Sequence, residues 1–489
     1  MFVKIQNYIF DKIQRNTDWL YSAIFSVFYI SLFSLSTTPL YDYAALDSEM
    51  FQNIGMAILR GKVPYVDLFD HKGCILFFIN AICIGLNKTW GLWLFQCVHL
   101  CLNFYLWIKI IKFFTPKFSA LYLSITMFFI LEAYFSEGNL SEEWSLLLIG
   151  LPVYWSVKAI SRHQLLPMKH LFYVGLCIGI VTFIRVNNIL LIIGYLVWFL
   201  WISIRKKKYI YIGKGIALIG LGILLPTSAC TLYFYMKGGA AGVEELWFGT
   251  IGFNLEYMQK YNSSSPSTLQ FIIMSYAPVM MMAFLSLLCI KKDKNQIIPL
   301  LFSYSIGLFF VGETLFRHYF LVFVPLYVVT WAAICKAKYS SALQIVVLLT
   351  FAGASWKPIK RYVSHFTSGR ETRVRMRCVQ FENMISKIPV EERTCIWNYN
   401  GQEVMDAIVD ADIVQCNRII IPFHLDISEK LANAERNKIL KVQPQWILVN
   451  RKYVIGDLID REFIEKNYSP VDSTCVDGME NVVLLHRCY

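Results

Sequence analysis

One element recurs along this chain: a run of apolar residues about as long as a bilayer is thick, closed by a short charged loop. A transmembrane helix needs about 20 such residues. Runs of this kind stand at Trp19–Ser36, Leu92–Ile111, Phe118–Phe135, Trp144–Ile160, Leu171–Ile184 and Ile189–Ile204. They continue at Ile210–Met236, Leu269–Ile290, Ile297–Val311, Phe316–Cys335 and Ala342–Trp356. Residues 74–87 are apolar but short, in the range of re-entrant or interfacial segments. The backbone of a span must pair internally, and no alternating barrel pattern is present, so the spans are expected to be helices. Composition agrees: 56% of residues are hydrophobic and 16% charged, where a soluble domain carries about 25% charged residues.

Loop charge orients the spans. Lys109 and Lys112, Arg162 and Lys169, Arg205–Lys208, Lys291–Lys294, and Lys336 and Lys338 follow alternate spans. The positive-inside rule places these loops in the cytosol. The net charge of +12 therefore belongs to the membrane part, and nucleic acid is not an expected partner. The cysteines are scattered, many inside apolar runs, with no metal-type cluster. The expected fold class is an all-α polytopic membrane protein of about 11 spans over residues 1–356, with an outer loop at 37–73. After Trp356 the pattern changes. Amphipathic helices at 370–388, 427–442 and 455–467 alternate with strand-like runs Thr394–Asn398, Ile419–Phe423, Trp446–Asn450 and Val482–His486. This predicts a small extracytoplasmic α/β domain over 357–489. A multi-pass protein of the inner (plasma) membrane is expected, in contact with its lipids.

The chemistry concentrates in Tyr41–Gly73, which holds Asp42, Asp47, Glu49, Asp67 and Asp70 and closes with His71-Lys72. The spacing of Phe51, Ile54, Ile58 and Leu59 predicts an interfacial helix over Ser48–Arg60, ended by Gly61. Asp47 would cap that helix without any further function, or it is a general base that takes the proton of an attacking hydroxyl or amine. A phosphate leaving group departs without a general acid where cations neutralise it. Lys72 and His71, Arg185, and Arg317-His318-Tyr319 supply such cations at the outer level. Individually, snorkelling anchors would look the same. A second acidic loop, Glu137–Glu143, returns to the same face. There Asn139 is expected to cap the next span, and Glu142 is a candidate for binding sugar hydroxyls or the acceptor. Glu49 and Asp70 complete the candidate substrate-binding residues. No cofactor is expected. A divalent metal would be compatible with the acids, but no ligand spacing calls for one.

The run D-S-E-x-F-x-x-x-G-x-x-x-L-x-x-G-x-x-P-Y-x-D-x-F-D-H-K-G over Asp47–Gly73 resembles the first outer loop of the GT-C glycosyltransferases. It is most similar to glycosyltransferase family 39 and its bacterial relatives, among them the protein O-mannosyltransferases and the transferase that adds aminoarabinose to lipid A. Gly138–Glu143, Arg185–Asn187 and Arg317–Phe320 with Pro325 also resemble family patterns. The resemblance implies Asp47 as base, Lys72 at the donor phosphate, a polyprenyl-phosphate sugar as donor and inversion at the anomeric carbon. The acceptor would be a lipid-linked glycan, an envelope polymer or a protein. Two positions depart from the pattern: Cys74 follows Gly73, and Ser48 separates Asp47 from Glu49. The competing classes are a flippase or transporter for lipid-linked oligosaccharide and an envelope polysaccharide polymerase.

Overall fold

A computed structural model describes residues 2–40, 46–116, 120–261, 269–311, 316–337, 339–367, 373–393, 396–399, 404–421, 423–450, 461–474 and 482–488. Asp42, Lys117, Glu313, Arg370 and residues 455–460 lie outside them. The chain divides into two compact units. The first comprises Met1–Ser34, Trp93–Ala229 and Ser265–Phe366; the second comprises Leu35–Leu92, Cys230–Ser264 and Thr367–Tyr489.

Every apolar run predicted to span carries helix. Among the described residues, six helices are long and apolar enough to cross a membrane: Gly91–Phe114, Ser141–Ser161, Met168–Arg205, Tyr209–Lys260, Arg317–Cys335 and Ser340–Lys360. Cys74–Leu86, Ala120–Tyr134 and Ser275–Leu288 are apolar but shorter. The protein is therefore a multi-pass membrane protein, while eleven crossings is a count from sequence alone. Two physical features separate the counts. Runs five and six are counted as one stretch, although a 3-10 turn, Val186–Ile189, intervenes and Arg185 is extended there. Run seven continues far past its expected end, through a kink at Gly239 with φ 62. The first run lies on a longer helix than expected, Phe2–Phe33.

Polar contacts sort the helix ends of the first unit into two sets. Lys112 Nζ meets Asp18 Oδ1 at 2.7 Å, and Ser34 Oγ donates to Gln96 Oε1 at 3.2 Å. The first helix and Gly91–Phe114 are thus antiparallel. Gln96 in turn meets Glu143 at the start of Ser141–Ser161, and Gln296 Nε2 donates to the other end of that helix, at Val157 O, 2.9 Å. The basic loops after these helices therefore share one end of the bundle, as their charge pattern predicts. Between the ends lies an apolar core that includes Trp107, Ile149, Tyr327 and Trp331, all essentially inaccessible.

In the second unit the helix expected over Ser48–Arg60 is present as Leu46–Leu59, with residues 48–57 buried, and it stops before Gly61, whose φ of 83 favours glycine. It packs on Cys74–Leu86 so closely that a Cβ on Gly55 would lie 2.9 Å from Ala81 N. The C-terminal part forms a four-stranded sheet in the order β1-β2-β4-β3, with β1 Trp397–Tyr399, β2 Trp446–Asn450, β3 Tyr468–Thr474 and β4 Val482–Arg487. β1 and β2 are parallel, and the other pairs are antiparallel. Among the described residues of Ile419–Phe423 no strand forms: Ile419 makes one isolated bridge to Phe69, and a short helix, Phe423–Ile427, follows. Tyr468–Thr474 pairs instead, a strand whose Ser, Pro and Asp hide it from hydrophobic patterning. Gly55→Leu is expected to destabilise the protein by about 1–3 kcal/mol through overpacking, seen as a lowered thermal midpoint in detergent; an unchanged midpoint would contradict the close helix contact.

Candidate functional site

Residues 63–73 fold as a series of tight turns. Val63 N donates to Asp67 Oδ2 at 2.7 Å, and Tyr65 N to Leu68 O at 2.6 Å. Tyr65 is wholly buried at φ 63, a left-handed conformation that aromatic residues rarely take. It is held there because its hydroxyl donates to Lys72 O at 2.7 Å and its ring lies over Gly249, where a Cβ would come within 2.3 Å of it. Strain fixed in this way is characteristic of segments that must present a side chain in one orientation.

The turn presents Asp70, His71 and Lys72, all buried. Asp70 Oδ1 accepts from Lys72 N at 3.0 Å, closing a two-residue turn. Lys72 Nζ lies 3.1 Å from His71 Nε2 and 3.8 Å from Asp70 Oδ1. His71 Nδ1 faces His424 Nε2 at 3.2 Å and Asp70 Oδ2 at 3.5 Å. Tyr257 stacks on the His71 ring at 5.1 Å, and Asn254 Nδ2 donates to His71 O at 3.0 Å. Phe69 N donates to Arg418 O at 2.6 Å, and Arg418 is ion-paired with Glu245. The turn is thus clamped between residues 245–257 and 418–424, all in the second unit.

Donor chemistry fixes the protons. A lysine ammonium only donates, so His71 Nε2 is its acceptor and the His71 proton sits on Nδ1, between His424 Nε2 and Asp70 Oδ2. The result is a chain of donors from Lys72 through His71 to His424. Asp70, His71 and His424 also place one possible metal-ligand atom each within 4.8 Å of one another. A cation on His71 Nδ1 would move the ring proton to Nε2, against the Lys72 ammonium. The same three residues can therefore serve a hydrogen-bonded chain or offer ligand atoms to a cation, and a cation on His71 Nδ1 would displace the chain. Burial alone would raise the Asp70 pKa, but Lys72 and His71 outweigh it and hold the carboxyl well below the usual range. Burial pushes His424 well below the ordinary histidine range, so it is neutral.

Asp47 and Glu49 occupy the first turn of Leu46–Leu59, where carboxylates favour the helix dipole. The helix is described from Leu46, two residues before the expected start at Ser48, so Asp47 lies inside it and is not its cap. Asp47 is half-buried and Glu49 buried.

In the first unit Glu142, Arg185 and Tyr319 come together. Arg185 is ion-paired with buried Glu142, and its guanidinium lies 3.8 Å from the centre of the Tyr319 ring. His318 stacks edge-on against Tyr319 at 4.9 Å, and Arg317 Nη2 donates to Ala354 O at 2.7 Å. Asn139 does not cap its helix as expected: Leu140 precedes the first turn, and Asn139 Oδ1 accepts from Trp144 Nε1 at 3.0 Å. Glu143, in the first turn, reaches back instead, its Oε2 accepting from Asn139 N at 2.8 Å. Sequence reasoning missed three groups. His424 stands alone in an irregular segment, Asn254 follows a π-helical turn, and Glu132 is buried in an apolar run, where it accepts from Tyr29 at 2.8 Å. Of these, only Glu132 carries a sequence signal, a lone acid within an apolar run.

No family model and no curated protein matches the sequence. Solved structures do. The apo oligosaccharyltransferase of Archaeoglobus fulgidus aligns over 90% of this chain and 70% of its own, at 11% identity and a TM-score of 0.52. The chain shares the overall fold of that solved structure. The same organism's oligosaccharyltransferase with Zn and sulfate aligns over 95% and 72% at 12% identity and TM-score 0.48. Its complex with an inhibitory peptide and a dolichol-phosphate aligns over 98% and 74% at 12% identity and TM-score 0.47.

Because His424 is neutral and its pKa depressed, its contribution to stability is present above the unfolded value of about 6.5 and is lost as pH falls below it. The thermal midpoint of the purified protein is expected to drop between pH 8 and pH 5.5, and His424→Gln should flatten that dependence. An equally steep fall in the variant would contradict the buried neutral histidine.

Proposed function

We propose that this protein is an integral membrane glycosyltransferase that moves a sugar from a polyprenyl-phosphate carrier to an envelope acceptor on the extracytoplasmic face. The observation that carries the reading is the fold, shared over 90% of the chain with an archaeal oligosaccharyltransferase. The finer resemblance to glycosyltransferase family 39 and the aminoarabinose transferase is part of the proposal, as is inversion. Cys416 is disulfide-bonded, and such bonds persist in oxidising compartments, which supports an outer location for the second unit.

In this reading Asp47 takes the acceptor proton as the hydroxyl or amine attacks the anomeric carbon. The bond to the donor phosphate breaks, and the phosphate leaves as an anion. Lys72, oriented by Asp70 and His71, neutralises that charge. Arg185, Arg317, His318 and Tyr319 keep the donor-contacting role that the sequence pattern gives them. Glu49, Asn139 and Glu142 position substrate or its contacts. A flippase would need no base at Asp47 and would release no polyprenyl phosphate.

The test is turnover of polyprenyl-phosphate sugars by the purified protein, followed as released polyprenyl phosphate. Asp47→Asn is expected to reduce transfer by about 10²–10⁴-fold, the usual worth of a general base, with folding intact. Lys72→Met should also lower the rate. Full activity in Asp47→Asn would remove the mechanism; lipid movement without phosphate release would favour the flippase.

A further inference from the structure

At the end of the first unit that carries the basic loops, a cavity of about 460 Å³ opens between three helices. Ile160, His163 and Gln164 line it from the end of Ser141–Ser161. Trp198, Trp201, Ile202, Arg205 and Lys206 come from Leu190–Arg205, and Lys294, Asn295 and Ile298 from Ile290–Val311. Its polar rim holds Arg205, Lys206, Lys294 and His163, and among the described residues no carboxylate lines it. The nearest acid in sequence, Asp293, is paired with Lys336 at 3.0 Å. Arg205 is braced over the Trp201 ring at 5.0 Å. Deeper, the wall is apolar at Ile160, Ile202 and Ile298.

Cations at the C-terminal ends of helices have a plain explanation, since they favour the dipole and the inner membrane face. That explanation does not call for a cavity. The cavity joins a converging set of cations to an apolar wall, which matches an amphiphile with an anionic oxygen headgroup.

We propose that this cavity binds the phosphate headgroup of an anionic phospholipid, with an acyl chain along Ile202 and Ile298. Basic pockets between transmembrane helices hold such headgroups in general. The site is separate from the residues assigned above to glycosyl transfer.

The test uses the full-length protein in nanodiscs of phosphatidylcholine with increasing phosphatidylglycerol, read as thermal midpoint and as lipid retained on native mass spectrometry. Wild type is expected to gain stability saturably. In Arg205→Gln/Lys294→Gln the phosphatidylglycerol fraction needed for half the gain should rise on the order of tenfold. Identical curves for wild type and variant would overturn the site. A gain from inorganic phosphate in neutral discs, lost in the same variant, would overturn the assignment to lipid and leave free phosphate as the ligand.

Discussion

A lysine ammonium buried beside an imidazole leaves that ring one choice of tautomer. In this protein that choice aligns Lys72, His71 and His424 into a single donor chain, and much of the second unit is arranged to hold it. Tyr65 is kept in a left-handed conformation so that its hydroxyl reaches Lys72 O. Asn254 and Tyr257 hold the backbone and ring of His71. The C-terminal segment supplies His424 and the backbone carbonyl of Arg418. The C-terminal part is therefore structurally continuous with the first loop. Asn53 donates to Ile413 O at 3.3 Å, Lys88 to Val409 O at 2.9 Å, and Arg60 pairs with Asp412 at 2.9 Å, all within the same unit.

The energetic logic follows from burial. Asp70 is fully enclosed, and an isolated carboxylate there would be costly. Lys72 and His71 keep it ionised, and Asp70 in turn fixes the Lys72 backbone. Removing one member of such a network costs more than the pair is worth, because a buried charge or donor is left behind. The same rule governs the first unit, where partly buried Arg185 pairs with buried Glu142 against the Tyr319 ring.

Much of this was legible in the sequence, and the limits have physical causes. Apolar runs found the helices because lipid leaves the backbone no alternative. Loop charge found which helix ends lie together. It could not settle how many helices cross, because a run may continue past the bilayer, as Tyr209–Trp247 does, or carry a 3-10 turn, as at Val186–Ile189. The first loop announced itself through acids and a basic pair within one stretch. His424 did not, since a lone histidine after an apolar segment has no pattern and meets His71 only through the fold. Asn139 was misassigned because caps depend on a one-residue register that spacing does not resolve.

The account rests on the contact between His71 and His424, and a double-mutant cycle measures it directly. Thermal or chemical unfolding of wild type, His71→Gln, His424→Gln and the double variant at pH 8 gives the coupling free energy. Residues in one hydrogen-bond network are expected to couple by about 0.5–3 kcal/mol, and the account predicts a value in that range. Additive effects, with coupling near zero, would contradict it.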